Sequence, residues 1–192
     1  SLLPTALADI CAGFALGSLS RGELRVDWLL FVSSAFIYHG SMALNDWADL
    51  KEDIESRPER PLPMGLALPA EALAAGVTLI LAGVVLACTL SIPLGAWMAG
   101  VATLAIGYNV WLRGPITGPL SLGICRGMNL AAPIILVAPG GALEHAPLLL
   151  GYGLYVFSLS SLARLETRTA SELNLKPRLL LLGIAVSFSA PL

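Results

Sequence analysis

The sequence predicts an all-α fold: a polytopic transmembrane helical bundle of about seven helices. Three observations carry that prediction. Of 192 residues, 56% are apolar and only 12% are charged, and the mean hydropathy is +0.80. The apolar residues gather into seven runs, most of them near the roughly 20 residues that cross a bilayer. The basic residues fall almost entirely on alternate connections between those runs, the pattern of a chain whose Lys and Arg stay on the cytoplasmic side. The runs are read as helices because lipid leaves no other open element with its backbone groups satisfied. A net charge of −2, without a basic face, argues against a nucleic-acid partner. The partner the composition implies is the lipid bilayer.

The runs are Leu2–Leu19, Trp28–Leu44, Leu66–Leu90, Pro93–Leu112, Ile116–Ala138, Ala146–Leu165 and Leu179–Leu192. No basic segment precedes the first, so it does not read as a cleaved signal peptide. It holds Asp9 about a third of the way in. A carboxylate there costs on the order of 2.5–3.5 kcal/mol unless paired or hydrated, so Asp9 either lines a cavity or lies close to the interface. In the second run His39 reads as a hydrogen-bonded packing residue. Ser91-Ile92-Pro93 leaves room only for a tight antiparallel turn between the third and fourth runs. The fourth ends Tyr108-Asn109-Val110-Trp111-Leu112-Arg113, an aromatic and basic end that suits either an interface anchor or a clamp for a phosphate. The fifth contains Gly123, Arg126, Gly127 and Asn129. A G-x-x-x-G pair lets another helix approach closely. Arg126 and Asn129 are expected to face the bundle interior, because a charge facing lipid is costly. Cys11, Cys88 and Cys125 lie in apolar runs without C-x-x-C pairing and read as packing residues. The seventh run stops at about 14 residues, short of a crossing, and the chain starts inside an apolar run. A C-terminally cropped fragment forming a single domain over 1–192 is therefore expected.

The even connections carry Lys51, Arg57, Arg60, Arg113, Arg168, Lys176 and Arg178, with Arg164 at a helix end; the odd ones carry only Arg21 and Arg25. The positive-inside rule puts the even connections and the N-terminus in the cytoplasm.

The most informative stretch lies on the first of those even connections: Asn45-Asp46-Trp47-Ala48-Asp49-Leu50-Lys51-Glu52-Asp53, then Arg57-Pro58-Glu59-Arg60-Pro61-Leu62-Pro63. If the stretch is helical, Asp46, Asp49 and Asp53 share one face at i, i+3 and i+7, and Asn45 joins it. Carboxylates so close repel one another unless a cation sits among them. An oxygen-only set of this kind suits Mg2+, which takes one or two carboxylates plus substrate phosphates. Lys51, Arg57 and Arg60 are placed to hold phosphate oxygens that the metal leaves free.

The pattern N-D-x-x-D-x-x-x-D followed by R-P-L-P and Gly, here Asn45 to Asp53 and then Arg60 to Pro63 and Gly65, resembles the first aspartate motif of the UbiA superfamily of membrane prenyltransferases. The resemblance covers essentially the whole chain, about two thirds of a usual nine-helix member. Together with G-I-C-R-G-M-N in the fifth run and S-L-A-R-L-E in the sixth, the chain looks most like the EboC-type branch. The resemblance implies a Mg2+-dependent transfer of an isoprenoid group from an allylic prenyl diphosphate to a membrane-accessible, aromatic or lipid acceptor. It implies Asn45, Asp46, Asp49 and Asp53 as catalytic residues. Metal ligands would be Asp46, Asp49 and Asp53 with Glu166. Lys51, Arg60, Tyr108, Arg113, Arg126, Asn129 and Arg164 would bind substrate, and Tyr108, Trp111, Tyr152 and Tyr155 would offer faces to the allylic cation. The sequence departs from the family where a second D-x-x-x-D motif is expected: Ser158 to Arg164 supply no carboxylate, leaving Glu166. That departure opens an alternative, a non-catalytic protein binding a prenyl or lipid phosphate. A second alternative is a transporter using Asp9, His39 and Arg126, though no internal repeat supports it.

Overall fold

A computed structural model describes residues 3–167, with side chains through Arg164. Its helices are α1 (Leu3–Leu19), α2 (Trp28–Ser56), α3 (Pro69–Leu90), α4 (Ile92–Val110), α5 (Thr117–Val137), the four-residue α6 (Gly141–Glu144) and α7 (Ala146–Thr167). There is no strand among the described residues. The fold is all-α, as expected. The seventh run, Leu179–Leu192, and the basic residues Arg168, Lys176 and Arg178 lie outside the described residues.

Helix boundaries follow from local chemistry. Asp27 starts α2 by accepting the Leu29 N–H at 2.9 Å, the usual work of an N-cap carboxylate. Pro69 opens α3 at a position where a missing N–H costs nothing, and Glu71 accepts the Leu68 N–H at 2.9 Å. Ser91 accepts the Leu94 N–H at 3.2 Å, so the expected tight turn ends α3 and caps α4 in one residue.

By length and composition, α3, α5 and Ala146–Arg164 of α7 are long and apolar enough to cross a membrane. With 17 residues, α1 is a shorter apolar helix. The second run does not end at Leu44: α2 continues without a break through the aspartate stretch to Ser56, and this polar extension dilutes the hydropathy of the helix as a whole.

In the bundle α2 packs on α3 and α4, α4 on α5, α5 on α7, and α1 closes against α2 and α5. Ile10, Phe14, Leu30, Ile37, Leu44, Met98 and Ala132 are among the buried apolar side chains of the core. Hydrogen bonds between helices reinforce it: Ser33 Oγ to the Gly83 carbonyl at 2.7 Å, Trp97 Nε1 to the Met128 carbonyl at 2.8 Å, and Asn109 Nδ2 to the Ser41 carbonyl at 2.8 Å. The expected close approach at the G-x-x-x-G pair is present. Gly123 faces Gly153 of α7 so closely that a Cβ on Gly123 would strike the Gly153 carbonyl oxygen.

Candidate active site

The aspartate stretch is helical, so its carboxylates do share a face. Asn45 Nδ2 donates to Asp49 Oδ2 at 2.8 Å, one turn along. Beyond Ser56 the chain turns back on this face. Three prolines, Pro58, Pro61 and Pro63, forbid a continued helix. Backbone bonds from Met64 N to the Arg60 carbonyl (3.0 Å) and from Leu66 N to the Pro61 carbonyl (2.9 Å) close the turn. Gly65 completes it at φ 70°, in the left-handed region that glycine enters without cost. The result delivers the Arg60 guanidinium to α2. Its Nη1 lies 2.7 Å from Asp53 Oδ2 and 3.4 Å from Asp46 Oδ1. Arg57 stands 3.8 Å from the other Asp53 oxygen.

A second guanidinium arrives from the end of α4. Arg113 Nε donates to the Asn109 carbonyl at 2.5 Å, and its Nη1 pairs with Asp49 Oδ1. Behind it stands Arg164 of α7. One of its nitrogens donates to the carbonyls of Arg113 (3.1 Å) and Gly114 (3.0 Å), pinning the α4–α5 connection. Gly118 leaves the notch for this: a Cβ there would lie 2.5 Å from Arg164 Nη2.

The burial of the carboxylates is graded. Asp53 is 2% exposed and Asp46 is 48% exposed. Partial burial raises the Asp46 pKa above its ordinary 3.8; Arg60 opposes the shift, and the negative charges of Asp53 and Asp49 add to it. The hydrogen bond to Asp53 raises the Arg60 pKa in turn.

Among the described residues, no group of three Asp, Glu, His or Cys side chains is arranged to hold a metal ion. Asp46, Asp49 and Asp53 form a face whose oxygens pair with guanidinium groups. Glu166, the fourth expected ligand, ends α7 with a side chain outside the described residues. The donor set still fits Mg2+ in kind. It is all oxygen and open on one side, and its mutual repulsion, expressed in Asp46, is what a divalent ion relieves.

The other expected site residues divide. Tyr108 is half-buried near the end of α4. Lys51 is exposed, and two residues along a helix from Asp49 it points away from the carboxylate face. Trp111 is 78% exposed. Arg126 and Asn129 face the interior as expected, but they join a separate network. Arg126 Nη2 donates to Asp9 Oδ1 (2.8 Å), the Tyr152 hydroxyl (2.9 Å) and the Thr5 carbonyl (2.9 Å). Tyr152 donates to Asp9 at 2.5 Å. Asn129 Nδ2 donates to the Ala6 carbonyl (2.9 Å) and to Asp9 Oδ2 (3.3 Å), and its Oδ1 accepts from Ser34 at 2.9 Å. Sequence reasoning missed Ser34, Thr5 and Gly118. It also treated Asp9 and Arg126 apart, although two opposite charges inside apolar helices are a signal that they pair.

A family model described as the UbiA prenyltransferase family matches residues 2–170. The chain belongs to that family. Among its relatives, a digeranylgeranylglyceryl phosphate synthase of Methanosarcina barkeri is 31% identical over 124 residues, covering 63% of this chain and 43% of the relative. A 4-hydroxybenzoate octaprenyltransferase of Cupriavidus metallidurans is 36% identical over 109 residues, 54% of this chain and 36% of the relative. The chain thus spans less than half the length of the curated relatives it matches. A solved structure of a digeranylgeranylglyceryl phosphate synthase in membranes superposes with a TM-score of 0.72 at 20% identity, over 96% of this chain and 71% of that one. At that identity the likeness speaks to the fold: this UbiA family member is an integral membrane protein built as a helical bundle.

Proposed function

We propose that the protein is a membrane-embedded prenyltransferase that moves an isoprenoid group from an allylic prenyl diphosphate to a lipid or aromatic acceptor in the bilayer, with Mg2+ as cofactor. The single observation behind the reading is the carboxylate face of α2, flanked by Arg60 and Arg113 at one end of a bundle of apolar helices. The relatives' names, a glyceryl phosphate synthase and a hydroxybenzoate prenyltransferase, agree with it in reaction class. The distribution of Lys and Arg supports a cytoplasmic position for this end of the bundle.

Each group then has a task. The isoprenoid tail lies among apolar side chains and the diphosphate lies at the helix ends. Arg60 and Arg113 bind phosphate oxygens through charge-assisted bonds. Arg164 holds the α4–α5 connection so that Arg113 reaches the site. Asp46, Asp49 and Asp53 would hold the Mg2+, with Asn45 orienting Asp49 by its hydrogen bond. When bound, the ion neutralises charge that develops on the leaving diphosphate. The bond between the allylic carbon and the bridging oxygen breaks, with its electron pair going to the diphosphate. The acceptor's nucleophilic atom then bonds to that carbon and loses a proton. Apolar helix walls keep water from intercepting the cation, and the half-buried Tyr108 near the end of α4 offers it an aromatic face.

The test is diphosphate release by full-length protein in nanodiscs, given radiolabelled prenyl diphosphate, Mg2+ and a panel of acceptors. Release should be lost in Asp49→Asn. Release that survives Asp49→Asn refutes the site. A second reading rests on the absence of any carboxylate from Ser158 to Arg164: a lipid-phosphate binder without transfer. Tight Mg2+-dependent binding with no diphosphate release in the presence of any acceptor would favour it.

A further inference from the structure

The carboxylate face is already partly paired from within. Arg60 bridges Asp53 and Asp46 at 2.7 and 3.4 Å, and Arg113 pairs with Asp49. These guanidinium groups hold oxygens that a divalent ion would need, and they are also the groups placed to bind a diphosphate. A guanidinium held against these carboxylates repels an entering cation, so arginine and metal compete for the same oxygens. We propose that Arg60 and Arg113 are exchangeable counter-ions: they occupy the carboxylates of α2 in the empty site and transfer to the diphosphate oxygens when the metal takes their place. The inference rests on the function proposed above and adds to it a binding order, in which metal and diphosphate enter together and neither binds well alone.

The surroundings suit such an exchange. Both arginine side chains are partly open to solvent, at 32% and 37% exposed, so each can turn without unpacking the core. The backbone beneath each is held by other groups. Arg60 sits in a turn closed by its own carbonyl and by Gly65. The Arg113 carbonyl is gripped by Arg164, itself seated in the Gly118 notch. The motion is thereby confined to the guanidinium arms. Each charged group faces opposite charge at both stages. In the empty site two cations face three carboxylates, with Arg57 close by; in the loaded site the metal faces the carboxylates and the arginines face the diphosphate.

The experiment uses full-length protein in nanodiscs and two probes. Mn2+ affinity without diphosphate is read from the EPR signal of the free ion. Retention of radiolabelled inorganic pyrophosphate is read at saturating Mn2+. Arg60→Gln and Arg113→Gln are compared with wild type after a thermal melt confirms that each is folded. Removing the internal competitor should raise Mn2+ affinity by about fivefold, the scale of a half-exposed ion pair, while pyrophosphate retention falls. Mn2+ affinity that is unchanged or weaker in both variants overturns the exchange, even if wild type retains pyrophosphate. Wild type that fails to retain pyrophosphate with Mn2+ overturns the proposed function along with it.

Discussion

The internal charge pair gives the sharpest stability prediction. Arg126→Met removes the guanidinium that faces Asp9 at 2.8 Å. It strands a carboxylate that is 4% exposed and releases the Thr5 hydroxyl and carbonyl from their donor. Breaking a buried pair by deleting one partner costs about 3–5 kcal/mol. Tyr152 and Asn129 still reach Asp9, and Arg126 is 17% exposed, so the expected loss lies at the lower end, about 3 kcal/mol. Asp9→Leu should cost a similar amount by leaving the arginine unpaired. The double variant Asp9→Leu/Arg126→Met leaves neither charge, and an apolar replacement of a buried pair is often neutral. It should therefore cost clearly less than the sum of the two single changes, with a coupling of at least about 2 kcal/mol. The assay is unfolding by SDS in mixed micelles, followed by tryptophan fluorescence. Single variants within about 0.5 kcal/mol of wild type, or a double variant whose cost equals the sum, would refute the claim that the two charges sustain each other.

Three further outcomes are expected. Gly123→Leu forces α5 away from the Gly153 carbonyl and should cost about 1–3 kcal/mol as overpacking, seen as a lower melting temperature in the same micelles. Gly118→Ala fills the notch that receives Arg164, so it should weaken retention of pyrophosphate in the same direction as Arg164→Ala while leaving every charge in place; unchanged retention in both would remove Arg164 from the site. The pKa of Asp46 is raised above 3.8 in the fold, so the folded state binds its proton more tightly than the unfolded chain. That contribution is fully present below 3.8 and is lost as pH rises through the raised value. Metal-free wild type should therefore lose stability relative to Asp46→Asn across that window, measured by thermal melts at stepped pH.

The helices, their order and the carboxylate face were legible because each rests on local spacing: apolar runs near bilayer length, and aspartates three, four and seven residues apart. What could not be read was what sits opposite them. The R-P-L-P run looked like a phosphate-binding segment, yet its arginine closes back on Asp53 and Asp46, an outcome set by the turn through Gly65. Lys51 is close in sequence to Asp49 but leaves α2 in another direction, so proximity along the chain misled where helical phase would have excluded it. Asp9 and Arg126 lie 117 residues apart; only the cost of an isolated charge in hydrocarbon hints that they meet. Gly118 carries no side chain to signal a role. The four residues of α6 give too short a pattern to read.

The two polar sets of the bundle differ in a way that locates function. In the inner set, Asp9, Arg126, Asn129, Tyr152 and Ser34 satisfy one another, and Asp9, Asn129 and Ser34 are buried. A ligand or ion entering there would have to break several good bonds in a medium that returns little, so the set ties α1, α2, α5 and α7 together and is poorly placed to carry a solute. That weighs against the transporter reading. In the outer set the carboxylates outnumber the guanidinium groups in direct hydrogen bonds with them, like charges still press on Asp46, and Arg60 and Arg113 are partly open to solvent. A site that is unrelieved and movable gains from binding a cation and an anion together. A site that is complete gains nothing. The same chemistry of acid and arginine is a fastening inside the bundle and, in the function proposed, a receptor at its end; the difference lies in how much of it water can reach.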